Sequence, residues 1–174
     1  MKELLFNAVG ILLISICLSS CSKKDDDDVT PITKEEIAND SGEWAISGTP
    51  EFIVTFSGYA EDAKKVSDTL KYLFRAGDKY TFNKDLSCTV TRNGSTAPRP
   101  KTYSIEGNYL VLDGYIKFQT NVSANQLTLT QGTDEIRAIV KKELEKKPEE
   151  YPGEHDDMLK IVTGNSTMVL KRGK

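Results

Sequence analysis

The sequence predicts a mainly β fold of the α+β class, an antiparallel up-and-down β-barrel with inserted helices. Two observations carry this. Between residues 79 and 131, apolar and polar side chains alternate with period two in six short runs, "KYTF", "LSCTVTR", "KTYSIEG", "YLVLDG", "YIKFQT" and "QLTLTQ". Turn-forming residues separate them, the pattern of strands with one buried face. A strand-like segment around Trp44 and a final "TMVLKR" bring the set to about eight, the number that closes a small barrel.

The elements follow in order. Thr33 and Glu36 have capping-box spacing, so "TKEEIAND" predicts a short entering helix. In "GEWAISG", Trp44 and Ile46 share one side of a first strand, and "EFIVTF" at 51–56, rich in β-branched and aromatic residues, predicts a second. From 60 to 75, Ala60, Ala63, Val66, Leu70, Leu73 and Phe74 recur at helical spacing, with Glu61 and Asp62 near the start and Lys71 and Arg75 near the end, where the helix dipole favours them. Gly77 supplies a stop. The six runs then form a meander, because short connections make neighbouring strands antiparallel. Asp113-Gly114 is its clearest hairpin turn, since a type I′ turn needs positive φ at both central positions. Thr133 is placed to cap a helix through "DEIRAIVKKELEKK", with Ile136, Ile139, Val140 and Leu144 on one face and Pro148 at its end. "HDDMLKIV" predicts a shorter helix, so helical segments lie at about 60–75 and 133–163, and "TGNSTMVLKR" returns as a strand.

Taken in this order, "GEW", a helix-bearing insert, "YTFNKDLSCTV", "YSIEGNYLVL", "LTLT", a helical segment and "MVLKR" make the chain from about residue 42 to 172 similar to the lipocalin-like domains of Bacteroidota lipoproteins. Where that family's turn carries a glycine, this chain has Asp85-Leu86-Ser87. The resemblance implies a lipocalin-like barrel over residues 32–174, and it bears on fold far more than on function.

The N-terminus reads as an address. Lys2 precedes the apolar stretch 4–18, "LLFNAVGILLISICL", which is short of the roughly 20 residues a membrane span needs and fits a signal peptide over residues 1–20. "LSSC" then resembles the lipobox of bacterial lipoproteins: Leu18, Ser19 and Ser20 match the positions before the cut, and Cys21 the residue that takes a diacylglyceryl group on sulfur. Each buried methylene contributes about 0.8 kcal/mol, and two or three acyl chains, palmitate-like in length, hold a protein firmly to a membrane face. Residues 21–31 form a lipidated acidic linker. Within it Ser22, Lys23, Lys24, Asp25, Asp26, Asp27 and Asp28 resemble the acidic export signals that carry such lipoproteins to the cell surface. The alternative is a solvated spacer on a periplasm-facing outer-membrane anchor. A disordered aspartate run lacks the shaped loop of a calcium site.

Net charge is −3, and residues 1–28 hold three lysines against five carboxylates, leaving a nearly balanced domain. That balance lacks the basic footprint of a nucleic-acid binder. Of three cysteines, Cys17 leaves with the signal and Cys21 takes lipid. Cys88 remains, on the apolar side of "LSCTV", as a small core residue. Hydrolase, zinc-protease, nucleotide-loop and paired-cysteine motifs do not occur. The run "GEHDD" at 153–157, around the single histidine His155, places neighbouring side chains in different directions and does not converge on a metal. Glu149 and Glu150 lack glycosidase spacing. Neither catalysis nor a cofactor is expected.

Two functions remain. In one, the barrel binds a small apolar ligand or a glycan, contacted by Trp44, Tyr80, Tyr103, Tyr109, Tyr115 and Phe118, although small barrels also need bulky inward residues as filling, Trp44 and Phe82 foremost. In the other, the barrel is filled and serves as a non-catalytic protein-interaction module of an outer-membrane complex. A cavity of about 300 Å³ or more lined by these aromatics favours the first, and a solid core favours the second.

Overall fold

A computed structural model of the chain describes residues 31–38, 43–146 and 156–173. The leader, Cys21, the acidic run, Glu149 and Glu150, and residues 153–155 of "GEHDD" lie outside them. The described elements are α1 (Lys34–Ile37), β1 (Glu43–Ile46), β2 (Glu51–Phe56), α2 (Ala60–Leu73), β3 (Lys79–Phe82), β4 (Ser87–Thr91), β5 (Pro98–Glu106), β6 (Tyr109–Leu112), β7 (Ile116–Ser123), β8 (Gln126–Gln131), α3 (Thr133–Glu145), α4 (Asp156–Lys160) and β9 (Val162–Arg172).

The strands β3 to β9 are antiparallel neighbours in sequence order, and β1 pairs with both β3 and β9. Eight strands therefore close into an up-and-down barrel, the architecture the alternating pattern predicts. The ninth, β2, continues β1 along the same edge of β9: Ile46 lies opposite Leu170 and Glu51 opposite Thr167. Residues 47–50 thus span a stretch where β9 uses only 168 and 169. The excess is absorbed in a bulge-like bend, with Gly48 at φ +77° and the Ser47 amide donating to Val169. The bend carries β2 away from β3 and leaves one edge of β2 unpaired. Helix α2 covers it, and the Ser67 hydroxyl donates to the Phe52 carbonyl at 3.0 Å.

One end of the barrel is closed by α1. Its capping box forms as predicted, with the Glu36 amide donating to Thr33 Oγ1 at 3.3 Å and the Thr33 amide donating to Glu36 Oε2 at 2.7 Å. Ile37 is buried beneath Trp44, whose Nε1 donates to the Ile37 carbonyl at 2.9 Å, and the Arg172 guanidinium lies 4.7 Å from the Trp44 ring. The interior is packed with linked aromatics. Phe74 lies 5.8 Å from Phe52 and edge-on to Phe118 at 5.5 Å, and Tyr80, Phe82 and Tyr103 continue the chain. The sheet and core lie within residues 31–174, which form one compact unit. The unit has a core of its own, as a domain that folds alone requires.

Four boundaries differ from the sequence prediction. Helix α2 ends at Leu73, not at 75. Phe74 is already extended, at φ −127° and ψ 106°, which swings its ring into the barrel; Gly77, at φ +80°, shapes the turn that follows. Strand β5 starts at Pro98, within a segment read as loop. Proline is tolerated there because residues 98–102 pair with β4 alone, so one side of the strand needs no donor. The residue before the α3 helix is Gly132 rather than Thr133, and the Thr133 hydroxyl instead exchanges hydrogen bonds with the backbone of Gly164 at 3.3 Å. The last helix, α4, ends at Lys160, short of the predicted 163, because β9 already begins at Val162.

Candidate functional site

At the end of the barrel opposite α1, the C-terminal turn of α2, strands β3 to β5 and the β6–β7 turn surround a partly open cavity of about 290 Å³. Its organising residue is Asp78, fully buried at the start of β3. The carboxylate accepts from the amides of Arg75 at 3.1 Å and Asn93 at 2.9 Å and is ion-paired to Arg92. The Arg92 guanidinium also donates to the Leu73 carbonyl at 2.7 Å. One buried acid therefore ties the end of α2 to the loop after β4. A buried carboxylate is tolerable only when its lone pairs are satisfied in this way.

A second ion pair holds the facing wall. Lys101 of β5 pairs with Asp113, which sits at φ +51° beside Gly114 at φ +75°, the positive pair expected of this turn. Between the two pairs stands Arg99. The floor is apolar, formed by Leu73, Phe74, Tyr80, Val90, Leu112 and Ile116. Tyr72 stands at the rim, 56% exposed, with the Arg75 guanidinium 4.2 Å from its ring. Burial, reinforced by the nearby Asp78 charge, pushes the Tyr80 phenol well above its usual range. An apolar floor under cations held by their own carboxylates suits a ligand with an apolar body and a polar end.

Of the six aromatic contacts predicted from sequence, the structure brings only Tyr80 to this cavity. Trp44 and Phe118 are fully buried, and Tyr103 packs edge-on against Phe82 at 5.1 Å while its hydroxyl donates to the Asn83 carbonyl at 2.7 Å. These three fill the barrel, which needs bulk on its axis. Tyr109 and Tyr115 face outward. They line a separate shallow groove of about 340 Å³ between β6, β7 and α3, with Val111, Ala138, Glu106, Asp134 and Glu135. There Lys117 sits 4.4 Å from the Tyr109 ring and 3.0 Å from Glu106.

Arg92, Arg99, Lys101 and Tyr72 were not among the candidates. A signal for two of them exists: in "PRPKTYSI", Arg99 and Lys101 fall in step with Tyr103 and Ile105, so alternation assigns them to the apolar side. Cys88 is buried behind them, its thiol pushed up to about 12 chiefly by burial. Among the described residues, no group of three His, Cys, Asp or Glu side chains is arranged to hold a metal. Comparison with known proteins finds no matching family model, curated protein or solved structure.

Proposed function

We propose that this chain is an outer-membrane lipoprotein, anchored through Cys21 and displayed at the cell surface, whose lipocalin-like barrel holds a small ligand at its mouth without catalysing a reaction. The observation that carries the binding half is the cavity beside α2, about 290 Å³ with an apolar floor and a polar rim. That size falls just short of small-molecule sites, about 300–1,000 Å³, and of the six aromatics expected from sequence only Tyr80 lines it, so the ligand is a small apolar molecule, a short glycan or one end of something longer. The anchoring half rests on "LSSC" and the acidic run after it. No helix among the described residues is long and apolar enough to cross a membrane.

A second reading has its own support. The barrel axis is filled by Trp44, Phe82 and Phe118, and the Tyr109–Tyr115 groove lies on the outer face, where a protein partner would dock. Native mass spectrometry of residues 31–174 purified from the producing cells separates the two. A retained small molecule lost on filling the mouth with Ile116→Trp supports the ligand reading; a bare chain that copurifies with a membrane protein supports the other. For the anchor, Cys21→Ala is expected to move the protein out of the membrane fraction. Unchanged fractionation would remove the lipid from the account.

A further inference from the structure

We propose that the ligand of the barrel mouth is a small amphiphile bearing one negative charge, and that Arg99 is the residue that selects it. This rests on the reading of the mouth as a binding site and names its ligand class. Arg99 and Lys101 lie directly opposite Val90 and Cys88 in the β4–β5 ladder. Both of those are buried in the core, and residues opposite each other share a face of the sheet. Two cations on β5 therefore belong to the interior face at the open end, an unusual place for charge in a barrel.

Their pairing is unequal. Lys101 has Asp113, and Arg92 has the buried Asp78. The Arg99 side chain has no hydrogen-bond or ion-pair partner among the described residues, although it lines the same cavity. Among the three cations that line the cavity, Arg99 alone lacks a carboxylate, beside the apolar surface of Phe74, Val90 and Ile116; Arg75, outside that lining, stacks on Tyr72. Arg99 is exposed, so the apolar wall strengthens the attraction only for an anion that packs against it and sheds water on that side. The guanidinium fork takes a carboxylate, phosphate or sulfonate through two oxygens at once. A neutral ligand leaves Arg99 unmatched, and a cation is repelled.

Two fluorogenic dyes that differ by a single anionic group test this: 8-anilinonaphthalene-1-sulfonate and the neutral N-phenyl-1-naphthylamine, titrated into residues 31–174. The sulfonate is expected to bind about tenfold more tightly, equivalent to about 1.4 kcal/mol. Arg99→Gln should abolish that preference, weakening the sulfonate far more than the neutral dye, and Arg99→Lys should keep part of it. Added salt should weaken only the sulfonate. Circular dichroism and thermal unfolding verify that the variants stay folded, which the exposure of Arg99 favours. Equal affinities in the wild type, or a preference that survives Arg99→Gln, would overturn the charge selection while leaving the mouth as a site for neutral ligands. If neither dye binds, both the selection and the binding site fall.

Discussion

Leu86 carries a backbone angle of φ +69° in the turn between β3 and β4. Its amide donates to the Asn83 carbonyl and its carbonyl accepts from the Tyr103 amide, both at 3.0 Å, so the turn cannot relax without breaking the contact to β5. For an L-residue other than glycine, the left-handed region costs roughly 1–2 kcal/mol. The side chain is 43% exposed and recovers little of this by packing. Glycine here would relieve the strain and give back about 0.5–1 kcal/mol through its freer unfolded chain. Leu86→Gly is therefore expected to raise the free energy of unfolding by about 0.5–1 kcal/mol in urea titration; a lower value would mean that the leucine contributes a contact outweighing its strain. The neighbouring Asp85 stabilises the same turn by accepting from the Ser87 hydroxyl at 2.6 Å and amide at 2.9 Å, which holds its carboxyl below the ordinary range.

At the scale of elements, Gly164 of β9 is closely approached by both β2 and α3. A Cβ built on Gly164 would stand 2.5 Å from the Ile53 carbonyl oxygen and 3.2 Å from Ile136. The first of these is backbone within the β2–β9 ladder and cannot give way. Gly164→Ala is expected to destabilise the protein by about 1–3 kcal/mol, the range for forced overpacking, read as a lower midpoint in denaturant; a neutral result would mean that β2 and α3 do not crowd β9 at this position as described. This contact could not be read from the chain, since "TGNST" gives no hint of what crosses it. What could be read was local. Alternation gave β3 to β8, and the four apolar residues of α3 at helical spacing are all buried. The misread boundaries share a cause. Pro98 and Pro100 look like loop unless one knows that a strand edge is unpaired, and Phe74 continues a helical stripe until the core draws it out. The mouth needed more still: Arg92, Arg99 and Asp113 come from separate elements, and only the register of β4, β5 and β6 brings them to one end of the sheet.

For the molecule as a whole, burial couples stability to alkaline pH. Cys88, Tyr80 and Tyr103 all have their pKa values raised, in each case chiefly by desolvation, with Cys88 and Tyr103 reaching about 12. In the unfolded chain the thiol ionises near 9.0 and the phenols near 10.0. Below those values folded and unfolded chains bind the same protons at these groups, and their contribution is fully present. Above them the unfolded chain releases protons that the folded one retains, so stability falls as pH rises toward 12. Unfolding free energy is expected to begin falling near pH 9, and Cys88→Ala should move that onset toward pH 10, as measured by urea titration at successive pH values. An onset that the substitution does not move would show the thiol to be reachable by water in the folded state.

The pairing of β9 carries a consequence in time. Trp44 is among the first residues of the barrel to be synthesised and must wait for Arg172, among the last, before its strand gains its second neighbour. Until then the ring has a gap, with the edges of β1, β2 and β8 all bare. Contacts so distant along the chain form slowly, because the intervening loop must be closed before they give any return. Without β9 the strands β3 to β8 can still pair in sequence, so the barrel's last strand to be made is the one that turns an open sheet into a closed one.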